Sequence, residues 1–219
     1  RLSSIIASRM GAYAGYEKNK EPQLKVIGMH RDKVKEINAK ALDDKKLCSV
    51  ALDVWNEAFS AAKKYGVRNS QVTVIAPTGT IALMMDCTCT GVEPLFAPVV
   101  YKQLVGGGYM KLVADTVPAA LKKLGYTPKQ SAVIMSWIEE KGMVEGAPEL
   151  KEEHLAVFDC AVKSANGKRT ISWQGHVKMV SAVQQFVSGA ISKTFNMMEE
   201  TSVEEITDAY MMGWKLGLK

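Results

Sequence analysis

The segment best equipped for chemistry is Ala76-Pro77-Thr78-Gly79-Thr80-Ile81. It follows the β-branched run at residues 71–76 and precedes the apolar stretch at residues 81–85. Pro77 fixes φ and lacks an N–H, so it ends a strand. Gly79 is expected to take a backbone conformation closed to other residues and to admit an oxyanion closely. Thr78 and Thr80 add hydroxyls, and the amides of Gly79, Thr80 and Ile81 would point outward from a helix start. Donors, partial positive charge and an unobstructed approach suit a phosphate. The segment lacks the Gly-Lys-Ser/Thr ending of a Walker loop. On spacing alone it equally describes a plain strand-to-helix turn with threonine as the cap.

The other reactive residue types are dispersed. Cys87 and Cys89 form a Cys-x-Cys, but a metal site needs two more ligands, and His30, His154 and His176 stand apart in sequence. No metal is expected. Cys160 has no identifiable partner base and reads as a small buried residue. Asp86, Glu93 and Asp159 lie near apolar segments. Glu93, before Pro94, reads as a solvated loop residue or as a hydrogen-bonding neighbour of the phosphate loop. Met84, Met85, Met211 and Met212 fall on helical faces and read as core filler. Gly106-Gly107-Gly108 reads as a hinge.

The elements that must position these residues are mostly helical. A helix over residues 1–10 stops at Gly11, and residues 12–19 form a loop rich in Gly and Tyr. A short helix is expected over residues 22–35. Leu47, Val50, Ala51, Val54, Ala58, Ala61 and Ala62 make a helical stripe ending near Tyr65-Gly66. Residues 71–76 and 191–197 read as strands. Helices are expected over residues 110–124 and, after a Thr127/Gln130 capping box, up to Gly142. Another runs over residues 176–189. A Ser202/Glu205 capping box opens the last, at residues 203–216. The layout is helical at 1–66, strand and phosphate loop at 71–86, a helical insertion at about 106–145, and helix-strand-helix at 171–217. Strands separated by long helical stretches argue for parallel pairing in an α/β fold. Two strands alone leave open edges, which are templates for pairing. A homodimer through those edges, or helices laid over them, is expected.

With 219 residues, 47% apolar and 23% charged, the chain is an ordinary globular sequence able to bury a core. A formal charge of +5, spread among helices, gives no nucleic-acid patch. No apolar run is long enough to cross a membrane. Four scattered cysteines suit reduced thiols, so a cytoplasmic setting is expected. The chain starts without Met inside a helix, and a further element is expected after Gly217, as in a piece of a longer protein.

Read together, several stretches resemble the long form of adenosylcobalamin-dependent (class II) ribonucleotide reductase. They are Gly15-Tyr16-Glu17-Lys18-Asn19, Ala76-Pro77-Thr78-Gly79-Thr80-Ile81, Gly91-Val92-Glu93-Pro94 and Gly106-Gly107-Gly108. They continue through residues 154–161, Gly175-His176-Val177 and Gly189-Ala190-Ile191-Ser192-Lys193-Thr194. The ordered set covers essentially the whole chain. The resemblance implies an α/β fold, here a helix-rich fragment of the ten-stranded reductase barrel. It implies substrate binding by Pro77, Thr78, Gly79, Thr80 and Ile81. It implies that the parent reduces ribonucleotides by a cobalamin-initiated thiyl radical, under a deoxynucleotide effector, with a dithiol reductant such as thioredoxin. The family's radical thiol lies in an Asn-x-Cys-Gly-Glu segment that does not occur here, so no catalytic residue is assigned and the chain alone is expected to be inactive. Thr88-Cys89 replaces an expected Asp-Thr, Leu95 an expected Asp, and Met198 an expected Pro, so no acidic contact is carried over. The alternatives are a noncatalytic nucleotide- or phosphate-binding module and a helical interaction domain.

Overall fold

The computed structural model describes residues 1–44 and 46–219. The chain forms two compact units. One comprises residues 1–75, 181–191 and 219, the other residues 76–180 and 192–218.

The first unit is built on α1 (Leu2–Met10), α2 (Tyr16–Val34) and α3 (Lys46–Tyr65). Gly11 ends α1 at φ 79, as expected. Helix α2 starts earlier than the sequence suggests and carries Pro22 inside it. A proline within a helix costs roughly 3 kcal/mol. Tyr16 offsets this: its ring is buried with Ala62 and Val67, and its hydroxyl donates to the Ala62 carbonyl at 3.2 Å. The expected stripe on α3 forms, but only Ala58 and Ala62 are buried, while Leu47, Val50 and Val54 are exposed.

Residues 71–76 and 191–197 do not form strands. They meet in a single parallel bridge, Ile75 with Ile191. Around it, Gly189 N–H donates to Thr73 O at 2.9 Å and Ile75 N–H to Ala190 O at 3.2 Å. A ladder needs neighbours along its length. Here each segment finds only the other, over a few residues, and Val72 and Val74 stay exposed.

The second unit holds α4 (Gly79–Met84), β1 (Val99–Gln103), β2 (Tyr109–Val113), α5 (Thr116–Lys123) and α6 (Pro128–Lys141). It also holds a 3-10 segment at Glu152–Phe158 and α8 (Val203–Lys215). Helix α7 (Trp173–Gln184) begins in this unit and ends in the first. Strands β1 and β2 form an antiparallel hairpin with Val99 opposite Val113. This corrects two expectations: Gly106–Gly108 belongs to the hairpin turn, and Met110 lies in a strand. The β-branched and aromatic residues of Val99–Gln103 and Tyr109–Val113 favour extended backbone. Gly107 and Gly108 supply the positive φ values, 87 and 84, that the turn needs. Val99, Leu121, Ile134, Ile138 and Val144 form the core of the unit.

Both capping boxes form as expected, at Thr127/Gln130 and Ser202/Glu205. Helix α8 buries no residue, and Tyr210 and Trp214 on it are exposed. Met84, Met85 and Met211 are exposed as well, so they do not fill this chain's core. Helices dominate, and among the described residues the sheet is two-stranded. The ten-stranded barrel expected from the resemblance is not visible within this chain.

Candidate functional site

All the residues of the Ala76–Ile81 motif lie in the second unit. The geometry moves one role by a residue. Thr78, not Gly79, takes the left-handed conformation, at φ 51 and ψ 28. A β-branched residue there is a true outlier. What holds it is visible: the Gly91 amide donates to Thr78 Oγ1 at 2.9 Å. Gly91 is itself at φ +55, and a Cβ on it would lie 2.6 Å from the Ala76 carbonyl oxygen. Gly91 therefore touches the loop on both sides of Pro77.

Gly79 opens α4 with ordinary backbone angles, and a Cβ on it would meet nothing within 4 Å. The first helical closure is Ala82 N–H to Thr78 O, at 2.7 Å. Among the described residues the amides of Gly79, Thr80 and Ile81 find no acceptor. Pro77, Gly79, Thr80 and Ile81 are exposed. The loop thus presents three free donors in succession, with no side chain over the first.

A second set of contacts, not foreseen from the sequence, lies beside it. Glu93 is only partly exposed, its side chain at 21%, and it does not bond the loop directly. Its carboxylate accepts from Lys193 Nζ at 2.5 Å and from the Thr194 amide at 2.7 Å. The Lys193 side chain is only 2% exposed. Lys193 Nζ also donates to the Thr194 carbonyl and lies 5.7 Å from the Phe195 ring centre. The signal was present in the stretches around Glu93 and Lys193, but nothing local couples residues so far apart in sequence.

His176 is buried near this pair, its ring edge-on to Phe195, and its Nε2 has no partner among the described residues. Burial, then the Lys193 cation, holds it below the usual 6.5, with Glu93 pulling the other way. The fold therefore favours the neutral ring. Its contribution to stability is full above pH 6.5 and is lost as pH falls towards the depressed folded value. The denaturant midpoint should drop more for the native chain than for His176→Gln between about pH 7.5 and about pH 5.5. Equal pH dependence in the two would show that His176 carries no such linkage.

The cysteines assume no role at the loop. Cys160 is buried, and its thiol is pushed up to about 11 by burial, with the Asp159 carboxylate and Cys89 adding to the shift. It is a neutral packing residue, as expected. Cys87 is exposed, and Cys89 is raised by burial and by Asp115. Thr88 donates to that same Asp115 at 2.5 Å. Among the described residues no three His, Cys, Asp or Glu side chains gather as metal ligands. No described helix is long and apolar enough to cross a membrane.

The whole chain, residues 1–219, matches the family described as ribonucleotide reductase, barrel domain. The chain belongs to that family. Among its relatives is the vitamin B12-dependent ribonucleotide reductase of Rhodopirellula baltica, 49% identical over all of this chain and 21% of that protein. The enzyme of the same name from Streptantibioticus cattleyicolor is 48% identical, over all of this chain and 36% of that protein. That of Streptomyces coelicolor is 45% identical, over all of this chain and 22% of that protein. The reductase-barrel chain thus spans between about a fifth and a third of these relatives' length.

Proposed function

We propose that this chain is the phosphate-binding portion of a reductase that converts ribonucleotides to 2′-deoxyribonucleotides. The observation that carries the reading is the run of free amides at Gly79, Thr80 and Ile81 behind a left-handed Thr78. Strain held in place by tertiary contacts is characteristic of functional loops. Pro77 ends the preceding extended segment, Thr78 sets the helix start, and Gly79, Thr80 and Ile81 donate to phosphate oxygens. In the complete protein this segment forms part of the wall of a ten-stranded α/β barrel. That assembly gives residues 71–76 and 191–197 the neighbours they lack here.

Adenosylcobalamin would supply the radical in the parent enzyme. The apolar cavity beside Cys160, lined by Leu95, Val117, Val157 and Phe158, is too small for it, with a volume of about 200 Å³. Small-molecule sites span about 300–1,000 Å³. The Asn-x-Cys-Gly-Glu segment that would carry the radical thiol does not occur in this sequence, and the corrin, the deoxynucleotide effector and the dithiol reductant are expected to contact mainly other parts of the parent protein. The test is reconstitution. The full-length parent, given adenosylcobalamin and a dithiol, should form deoxyribonucleotide, and the 219-residue chain alone should not. Turnover by the chain alone would overturn the assignment of the radical thiol to another segment.

A further inference from the structure

We propose that Glu93 and Lys193 act as a charged brace that sets the shape of the phosphate loop, making both positioning residues for substrate binding. The proposal rests on the reading of residues 77–81 as a phosphate cradle. The contacts form a continuous path. Lys193 Nζ and the Thr194 amide grip the two carboxylate oxygens of Glu93 at 2.5 and 2.7 Å. Glu93 is joined to the turn at residues 90–93 by its own amide, which donates to Thr90 O at 2.9 Å. Within that turn Gly91 donates to Thr78 Oγ1 and lies against the Ala76 carbonyl. Thr78 is the left-handed residue that points the following amides outward.

An ion pair with one partner buried, as Lys193 is, and the other partly exposed, as Glu93 is, is a poor way to gain stability, because desolvation consumes much of the attraction. Its value lies in geometry: both partners must meet closely or leave a buried charge exposed to no counter-charge. Lys193 is 2% exposed, so it cannot turn to solvent if Glu93 moves. The pair thereby fixes where the turn at residues 90–93 stands, and through Gly91 it fixes the backbone of Thr78. A salt bridge on the surface could not enforce that.

The experiment uses the full-length parent enzyme with Glu93→Gln, Lys193→Met and the double variant, beside Gly79→Val. The double variant removes the unpaired charge, and so separates folding from positioning. Affinity for CDP and CTP is measured by calorimetry, thermal stability by scanning, and turnover at saturating nucleotide. Misplaced binding groups far from the chemistry cost on the order of tenfold to a hundredfold. We expect the double variant to recover most of the stability lost by Glu93→Gln while CDP and CTP affinity stays down by that factor. KM should rise with kcat little changed. Double-variant affinity equal to the native enzyme, with Gly79→Val impaired, would overturn the brace and leave the cradle standing. Native affinity in Gly79→Val would remove the cradle and the brace with it.

Discussion

Gly79→Val should leave the fold intact and cut the parent enzyme's nucleotide affinity by about tenfold to a hundredfold. The structure makes this separation sharp. Gly79 has ordinary helical angles, and a Cβ there meets nothing within 4 Å. Nothing in the protein itself requires glycine at this position. Glycine even costs about 0.5–1 kcal/mol relative to alanine inside a helix. Because Cα–Cβ bonds tilt toward a helix N-terminus, a side chain at 79 should instead crowd an anion held by the free amides of Thr80 and Ile81. Hydrogen bonds to a charged group contribute about 1.5–3 kcal/mol each, and 1.4 kcal/mol is a factor of ten. Thr78→Ala should be milder. It removes one hydroxyl that accepts from Gly91 N–H, worth about 0.5–1.5 kcal/mol, but leaves the approach of Gly91 to the Ala76 carbonyl that also holds the loop. Denaturant midpoints and calorimetric affinities on the same variants check both halves. Full affinity in a folded Gly79→Val protein would reduce the loop to a turn.

Gly91→Ala should behave in the opposite way, destabilising the protein before any ligand is added. Its φ of +55 disfavours any residue with a Cβ, and that Cβ would stand 2.6 Å from the Ala76 carbonyl oxygen. The obstacle is backbone, so no side-chain rotation relieves it. Strained conformations of this kind cost about 1–3 kcal/mol each, and the collision adds to that. For a domain of this size the melting temperature should fall by roughly 2–12 °C from the strain alone. Thermal scans of the two glycine variants side by side are the measurement. An unchanged midpoint for Gly91→Ala would mean that the Ala76–Gly91 approach is not fixed in solution.

The contrast between these two glycines shows what local sequence can and cannot say. Both lie in legible motifs, and the sequence suggests a special conformation for Gly79. The structure places that conformation on Thr78, because a hydroxyl held from residue 91 can trap a threonine where propensity alone would not. The capping boxes at Thr127 and Ser202 were legible because both partners lie within three residues. The stripe on α3 was legible as a helix but not as an exposed face, since periodicity reports a face and not what covers it. The hairpin at residues 99–113 was misread because its strands carry Lys and Met among the β-formers, diluting the alternation. Glu93 and Lys193 were beyond reach for another reason: no rule of spacing joins residues that meet only through tertiary folding.

The division of the chain also dictates an order of events during synthesis. The first unit is interrupted at residue 75 and resumes only at residue 181, where the second unit hands the chain back. Its two parts are joined by the Ile75–Ile191 bridge and by hydrogen bonds of Thr73 with Ser188 and Gly189 and of His30 with Gln185, all of which close a long loop. The buried cluster of the second unit, by contrast, lies within residues 99–147, with Leu95, Leu150, Leu155 and Phe158 packed against it. Leu121, Ile134 and Ile138 can therefore be buried while α1, α2 and α3 still wait for residues 181–191. Contacts between distant segments form slowly. The Ile75–Ile191 seam should therefore close after the buried cluster around Leu121, Ile134 and Ile138, and its amides should exchange with solvent sooner than that cluster's.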